Sequence, residues 1–294
     1  MNPLHLILLL LVVFFWGLNF VFVKIALQEI PPILLCFFRF FLVSIPAICF
    51  FKRPAVPFKW IILYSLVMFV LQFALMFTGI RMGVSAGLGS LLLQTQVFFS
   101  LFFASVFFKE KLNLWQILGA LLSFSGIAIV GFNLGADVSL PGLLLVITAA
   151  ATWGGGSIIV KKMGKVQSGS LLVWSSLLAW PPLLLLSFLI EGRLPTLLDF
   201  HQFSTESYAA ILFIALFSTA FGFGTWNWLV QLYPLSTVAP FTLLVPVFAI
   251  LASTLYLHEP LESWKILAAL LVIGGLCVNI IGSRLVSARP IADE

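Results

Sequence analysis

Charge is scarce in this sequence. Lys, Arg, Asp and Glu make up 9% of its 294 residues, and 62% are hydrophobic, whereas a soluble domain carries about a quarter of its residues as charges. A water-facing surface is excluded, and the chain reads as a bilayer protein. Acidic groups are the scarcest: ten carboxylates, Glu29, Glu110, Asp137, Glu191, Asp199, Glu206, Glu259, Glu262, Asp293 and Glu294, all at the ends of apolar runs, in loops or in the tail. Proton-driven carriers commonly keep an Asp or Glu inside the membrane, and no such relay is visible. The histidines do not replace it, because His5 and His258 stand near run ends and His201 in a loop. Cys36, Cys49 and Cys277 form no Cys-x-x-Cys pair, which argues against a disulfide framework and a zinc site. Neither cofactor nor metal is expected. The net charge of +5 does not imply a nucleic-acid partner, because the basic residues stand singly or in pairs between apolar runs, as in loops facing the cytoplasm.

What the sequence does have is length without charge. A bilayer core about 30 Å thick takes roughly 20 apolar residues of helix, and ten such runs follow one another: 4–24, 33–51, 60–80, 84–107, 115–132, 140–160, 170–190, 208–229, 236–257 and 264–282. Leu4–Val13 is continuously apolar, so helices are expected and alternating barrel strands are not. The first run has no basic leader and no small-x-small cleavage site, and reads as a span, not a removable signal. With both termini in the cytoplasm, ten Lys and Arg fall on the cytoplasmic side and four on the other. That orientation satisfies the positive-inside rule.

The runs repeat. Trp16-Gly17 followed by Lys24 returns as Trp153-Gly154 followed by Lys161, at an offset of 137. Glu110-x-Leu112-x-x-Trp115 returns as Glu259-x-Leu261-x-x-Trp264, at an offset of 149. The 12-residue difference falls between the short Lys52–Lys59 loop and the longer Glu191–Ser207 loop. Residues 1–135 and 136–284 form the two repeats, and 285–294 a cytoplasmic tail. Each holds five spans, an odd number, so the halves are inverted in the membrane. Inverted repeats give two states of similar energy, the requirement for alternating access.

These features resemble paired EamA domains of the drug/metabolite transporter superfamily. The carrying stretches are Trp16-Gly17-Leu18-Asn19-Phe20, Pro31-Pro32 with Arg39-Phe40, Gln72-Phe73-Ala74, Gln94-Thr95-Gln96, and Val238-Ala239-Pro240 leading to Leu243-Leu244-Val245-Pro246-Val247. One departure is Val97, where the family often has proline; the second half keeps it as Pro246. The resemblance implies an all-α integral membrane protein of ten transmembrane helices in two inverted five-helix repeats. It also implies a plasma (inner) membrane location and export of small amino-acid-type metabolites such as cysteine or O-acetylserine. Other members move different solutes, including nucleotide-linked metabolites and drugs, in either direction. A small-molecule substrate and membrane lipid are the expected partners, with the chain a monomer or homodimer.

Arg39 is the one charge well inside a span, about seven residues or 10 Å below Pro32. Facing lipid, it would cost at least about 2.5–3.5 kcal/mol. It either pairs with a substrate carboxylate or reaches back to the interface. Asn19, Gln72, Gln94, Gln96, Ser157, Thr225 and Asn227 are uncharged polar groups on spans that build a central cavity in the family; each either meets substrate or joins helices. Gln94 and Gln96, two apart on a helix, point about 200° apart, and only one is expected to face a cavity squarely. Trp16, Trp153, Trp174, Trp180, Trp226 and Trp228 lie within spans, and either wall the cavity or pack helices. The substrate-binding candidates are therefore Asn19, Arg39, Gln72, Gln94, Gln96, Trp16, Trp153, Ser157, Trp174, Trp226 and Asn227. Lys24, Lys161, Glu110 and Glu259 are symmetric span-end anchors or caps. Gly83-x-Ser85-x-Gly87 fits a serine-hydrolase elbow, but the segment joins two membrane helices with no His or acid in view. No enzyme is expected.

Overall fold

The computed structural model describes residues 1–135, 138–192, 203–233 and 235–287. Arg193, Asp137, Asp199, His201, much of the long second-half loop and the tail beyond 287 lie outside them. Ten helical segments cross the molecule: span one Pro3–Ala26, two Pro32–Ala47, three Phe58–Arg81, four Ala86–Phe108, five Leu114–Phe132, six Leu140–Met163, seven Ser168–Glu191, eight Thr205–Leu232, nine 235–256 and ten Ser263–Ser287. Eight are long and apolar enough to cross a bilayer; Pro32–Ala47 and Pro240–Tyr256 are shorter apolar helices. Their starts are written locally. Asn2 caps span one ahead of Pro3, Asn113 and Gln116 form a capping box at span five, and Ser139 caps span six, each supplying acceptors to amides that have no partner in the first turn.

The two halves repeat at the level of single contacts. Spans three and eight both widen into π-helix, at Ser65–Leu71 and Phe213–Phe221, which coincide at the 149-residue offset. Spans four and nine are both interrupted, four by a turn at Gln94–Thr95 and nine by a 3₁₀ segment at Ala239–Leu243. A Cβ on Gly17 would sit 2.5 Å from the Phe248 side chain, and one on Gly154 would sit 2.9 Å from Phe99. Gly17 and Gly154 are repeat partners, as are Phe99 and Phe248. The Trp-Gly pair thus has one purpose in both halves: the glycine lets span one meet span nine, and span six meet span four, at backbone distance. Spans five and ten pack tightly along each other and do not line the central cavity.

The faces differ. On the face away from the termini, carboxylates reach the helix starts of distant spans. Glu191 accepts from the Ile33 and Leu34 amides at 2.7 and 3.1 Å. Glu259 accepts from Ala86 at 2.9 Å and Gly87 at 3.4 Å. Glu29 accepts from the Ser204 amide at 2.8 Å and the Ser207 hydroxyl at 2.7 Å. Lys24 and Arg81 do the converse, donating to the carbonyls of Ile80 and Val84, and of Leu27 and Ile30. Each arrangement places a charge where the helix dipole favours it. Ser85 of the hydrolase-like pattern is a helix cap, its Oγ accepting from the Leu88 amide.

Two predictions follow from this packing. Gly154→Leu should lower the thermal stability of the detergent-solubilised protein by about 1–3 kcal/mol through overpacking against Phe99, whereas Gly224→Ala, with nothing within 4 Å of its Cβ, should be near neutral; thermal unfolding of both checks it. The Ser207 hydroxyl, then the Ser204 amide, hold the Glu29 carboxyl below its ordinary value of 4.5. This contribution is present above that value and lost as pH falls through the lowered one. Glu29→Gln should weaken protection of the Ser204 amide at neutral pH, and the difference from wild type should vanish in acid, as read by hydrogen exchange.

Candidate functional site

Between the halves lies a cavity of about 580 Å³. Its wall runs from Phe73, Met76 and Ser90 in the middle of the molecule to Val160, Val166 and Ser168 at the connection between spans six and seven. That connection lies on the face that carries the termini, so the cavity extends toward that face, while toward the far face Ala86–Leu93 packs against Leu244–Tyr256 and closes the way. Spans one, three, four, six, eight and nine contribute. Spans two and seven join them, through Arg39 and through Ser168, Leu171 and Leu172.

Arg39 is 2% exposed and lines this cavity. Its guanidinium carbon stands 4.2 Å from the centre of the Phe73 ring, and Nη1 donates to Asn19 Oδ1 at 3.3 Å. Nε has no hydrogen-bond partner, and the ion pair found among the described residues, Lys161 with Glu110, does not involve it. The fork holds five N–H donors and no acceptor. One amide oxygen and a ring face leave most of its capacity unanswered, and the groups that answer it best are planar anions such as carboxylates.

A second cluster is aromatic. Trp16 lies 5.3 Å from Trp226 and 5.5 Å from Phe223, and the ring of Trp153 stacks on Phe223 at 6.4 Å. The two repeat-related tryptophans therefore meet at one ring from span eight. Trp16 is fixed further by donating Nε1–H to the Ser218 carbonyl at 3.0 Å, a carbonyl within the π-helical turn.

Gln94 and Gln96 both line the cavity, contrary to the 200° argument. That argument assumed a continuous helix. The amides of Gln94, Thr95, Val97 and Phe98 instead bond three residues back, so the chain turns between the two glutamines and brings both inward. Gln94 Nε2 donates to the Thr242 carbonyl at 3.0 Å and so joins the interruption of span four to that of span nine. Gln96 Oε1 is buried without a partner.

Asn19, Trp16, Trp153, Ser157, Trp226 and Asn227 also stand on the wall. Two candidates do not. Gln72 is fully buried between helices, its Nε2 3.7 Å from Met76 Sδ, so that Met76, one turn on along the same side of span three, reaches the cavity wall and Gln72 stays behind it. Trp174 donates to the Phe51 carbonyl at 3.0 Å, tying span seven to the connection after span two. Ser90, Ser100, Tyr64 and Phe223 line the wall without having been singled out. The serines gave no signal because each hydroxyl bonds its own helix, Ser90 to Gly87 and Ser100 to Gln96. Phe223 was marked by its neighbours: a Cβ on Gly222 would sit 2.5 Å from Trp16 Nε1.

The sequence matches the EamA-like transporter family over residues 4–132 and again over 140–281. A probable amino-acid metabolite efflux pump of Salmonella typhimurium is 36% identical over 94% of both chains. Its Escherichia coli counterpart of the same description is 35% identical over 95% of both. A solved crystal structure superposes with a TM-score of 0.68 at 14% identity, covering 98% of this chain and all of that one, and so shares the fold. Ten apolar helices, two copies of one domain and relatives matched nearly end to end lead to one assignment: the chain is a multi-pass membrane protein that belongs to the EamA-like transporter family.

Proposed function

We propose that this protein exports small amino-acid-type metabolites, of the cysteine and O-acetylserine kind, across the plasma membrane by alternating access, with both termini in the cytoplasm. The observation that carries the reading is Arg39, a buried guanidinium facing the central cavity with a single side-chain hydrogen bond. A substrate carboxylate would complete it. Asn19 and Phe73 hold the fork in place before substrate arrives, which reduces the ordering cost of binding. The acceptors Gln96 Oε1 and the amides and hydroxyls around it suit the ammonium end of a zwitterion. In the proposed orientation the cavity of this conformation opens to the cytoplasm, where an exporter must load. The relatives described as amino-acid metabolite efflux pumps support both substrate class and direction, and transport in place of catalysis.

Transport would run as an exchange of seals. Substrate enters from the termini face and engages Arg39, the halves rock, and the far face opens as the termini face closes. Residues 1–135 and 136–284 are the proposed moving halves. The aromatic wall of Trp16, Trp153, Phe223 and Trp226 favours a second reading, in which amino-acid metabolites with larger apolar side chains are carried as well.

In proteoliposomes, labelled cysteine and O-acetylserine should enter saturably. Arg39→Ala should reduce transport at low substrate concentration by about ten-fold or more, the loss of one bidentate charge-assisted contact, and Arg39→Lys should restore only part of it because a point charge lacks the fork. Trp174→Phe, at a position that does not line the cavity, should leave the apparent affinity unchanged. Larger apolar amino acids are tested as competitors in the same assay. Folded protein that carries none of these solutes would overturn the substrate class, and full activity in Arg39→Ala would overturn the role of the guanidinium.

A further inference from the structure

The four repeat-related charges, Lys24, Lys161, Glu110 and Glu259, do not occupy equivalent positions. On the termini face, Lys161 and Glu110 pair with each other. On the far face, their counterparts Lys24 and Glu259 are not paired. They take hold of the connection between spans three and four from its two ends, Lys24 at the carbonyls of Ile80 and Val84 and Glu259 at the amides of Ala86 and Gly87, the first residues of span four. The packing follows the same division. The segment Ala86–Leu93 lies against Leu244–Tyr256 on the sealed far face, while the symmetry-related segments, Gln96–Phe108 and 235–243, show no comparable packing among the described residues on the open face. The charges pair where the neighbouring span has withdrawn, and clamp that span where the face is shut.

Applied through the internal repeat, this asymmetry specifies the other state. We infer that Glu110 and Lys161 are gating residues that exchange partners during transport. When the termini face closes, Glu110 leaves Lys161 for the backbone amides of Leu235 and Ser236, the counterparts of Ala86 and Gly87. Lys161 turns to the carbonyls of Leu229 and Tyr233, the counterparts of Ile80 and Val84. On the far face Lys24 and Glu259 release span four and pair with each other. The number of charge-assisted contacts is conserved across the exchange, so the two states stay close in energy and a substrate need supply only a small bias to move between them. No protonation step is required. The inference rests on the alternating-access reading but not on any particular substrate.

Site-selective labelling tests it without transport. In a background with Cys36, Cys49 and Cys277 replaced, a Ser90→Cys reporter in the cavity wall is treated from the far face with a membrane-impermeant maleimide. Glu259→Gln should raise the labelling rate by about three- to ten-fold, because it weakens two charge-assisted amide contacts of the far-closed state and costs the far-open state only its ion pair with Lys24, a smaller loss. Glu110→Gln should lower it by a similar factor, because it costs the observed state only a half-exposed ion pair of small worth and costs the far-open state two charge-assisted amide contacts. A Lys161–Glu110 bridge that persists in both states predicts no change, and one that breaks without new partners predicts faster labelling, since its loss then penalises only the observed state. Unchanged or faster labelling in Glu110→Gln therefore overturns the exchange. Should that variant fail to fold, Lys161→Gln decides, since it loses two carbonyl contacts of the far-open state and should also slow labelling; independently, in Glu110→Cys with Ser236→Cys an oxidant should close an intramolecular disulfide, read by intact mass as loss of both free thiols, and folded protein that forms none overturns the proposal. Failure of amino-acid uptake with these outcomes intact would count against the substrate alone.

Discussion

A backbone amide or carbonyl left unpaired in hydrocarbon costs several kcal/mol, and every irregularity in these spans is arranged around that cost. Where spans four and nine break, the freed groups bond three residues back or take a side chain, as when the Thr242 carbonyl accepts from Gln94 and the Leu92 carbonyl from the Thr95 hydroxyl. Where span eight widens into π-helix, the Ile214 carbonyl accepts from Thr219 and the Ser218 carbonyl from Trp16. Irregular backbone is tolerated in a membrane where it borders a cavity or is buried in protein, and the interruptions do border the cavity. The polar wall is thus partly a by-product of satisfying backbone that has been bent to make room for something other than helix.

The same rule governs the ends. First-turn amides and last-turn carbonyls of a span have no partner within it, and on the far face many find one on another span, through Glu29, Glu191, Glu259, Lys24 and Arg81. A cap supplied by a distant span is also a tether between spans. Unlike apolar packing, which gains little over lipid contact in a bilayer, such a tether is specific in partner and can be handed over. This explains why scarce charges gather at span ends: there they hold the bundle together without entering the hydrocarbon.

Much of this could be read from the residues. The ten spans, the inverted repeat and the family follow from apolar runs about 20 residues long and from the Trp-Gly and Glu-x-Leu pairs, because length and symmetry are written in sequence order. The cavity was legible where a residue is costly enough to need a reason, as Arg39 is. It was not legible where the answer depends on local geometry. Gln94 and Gln96 look incompatible until span four is seen to break, and no proline announces that break, since the first half has Val97 where the second has Pro246. Gln72 is as polar as Gln94, and only the packing of Met76 beside it, which reaches the wall in its place, separates them. Trp174 is as deep in its segment as a cavity tryptophan could be, yet a carbonyl at Phe51 claims it.

The chemistry is less symmetric than the fold. Trp16 and Trp153 face one cavity as repeat partners, but the counterpart of Arg39 at the 137-residue offset is Ser176, which is buried away from the wall. A single cation on the first half, set against an aromatic cluster assembled from both, makes the two ends of the cavity different to a substrate. In the proposed cycle its charged end is held by the first repeat throughout, because Arg39, Asn19 and Phe73 belong to spans two, one and three and can move together as the halves rock. Its other end lies between Trp16 and the rings of spans six and eight, the contact that must slide. Symmetry in the backbone provides two states of comparable energy, and in the proposed mechanism asymmetry in the side chains keeps the substrate with one half while the other passes over it.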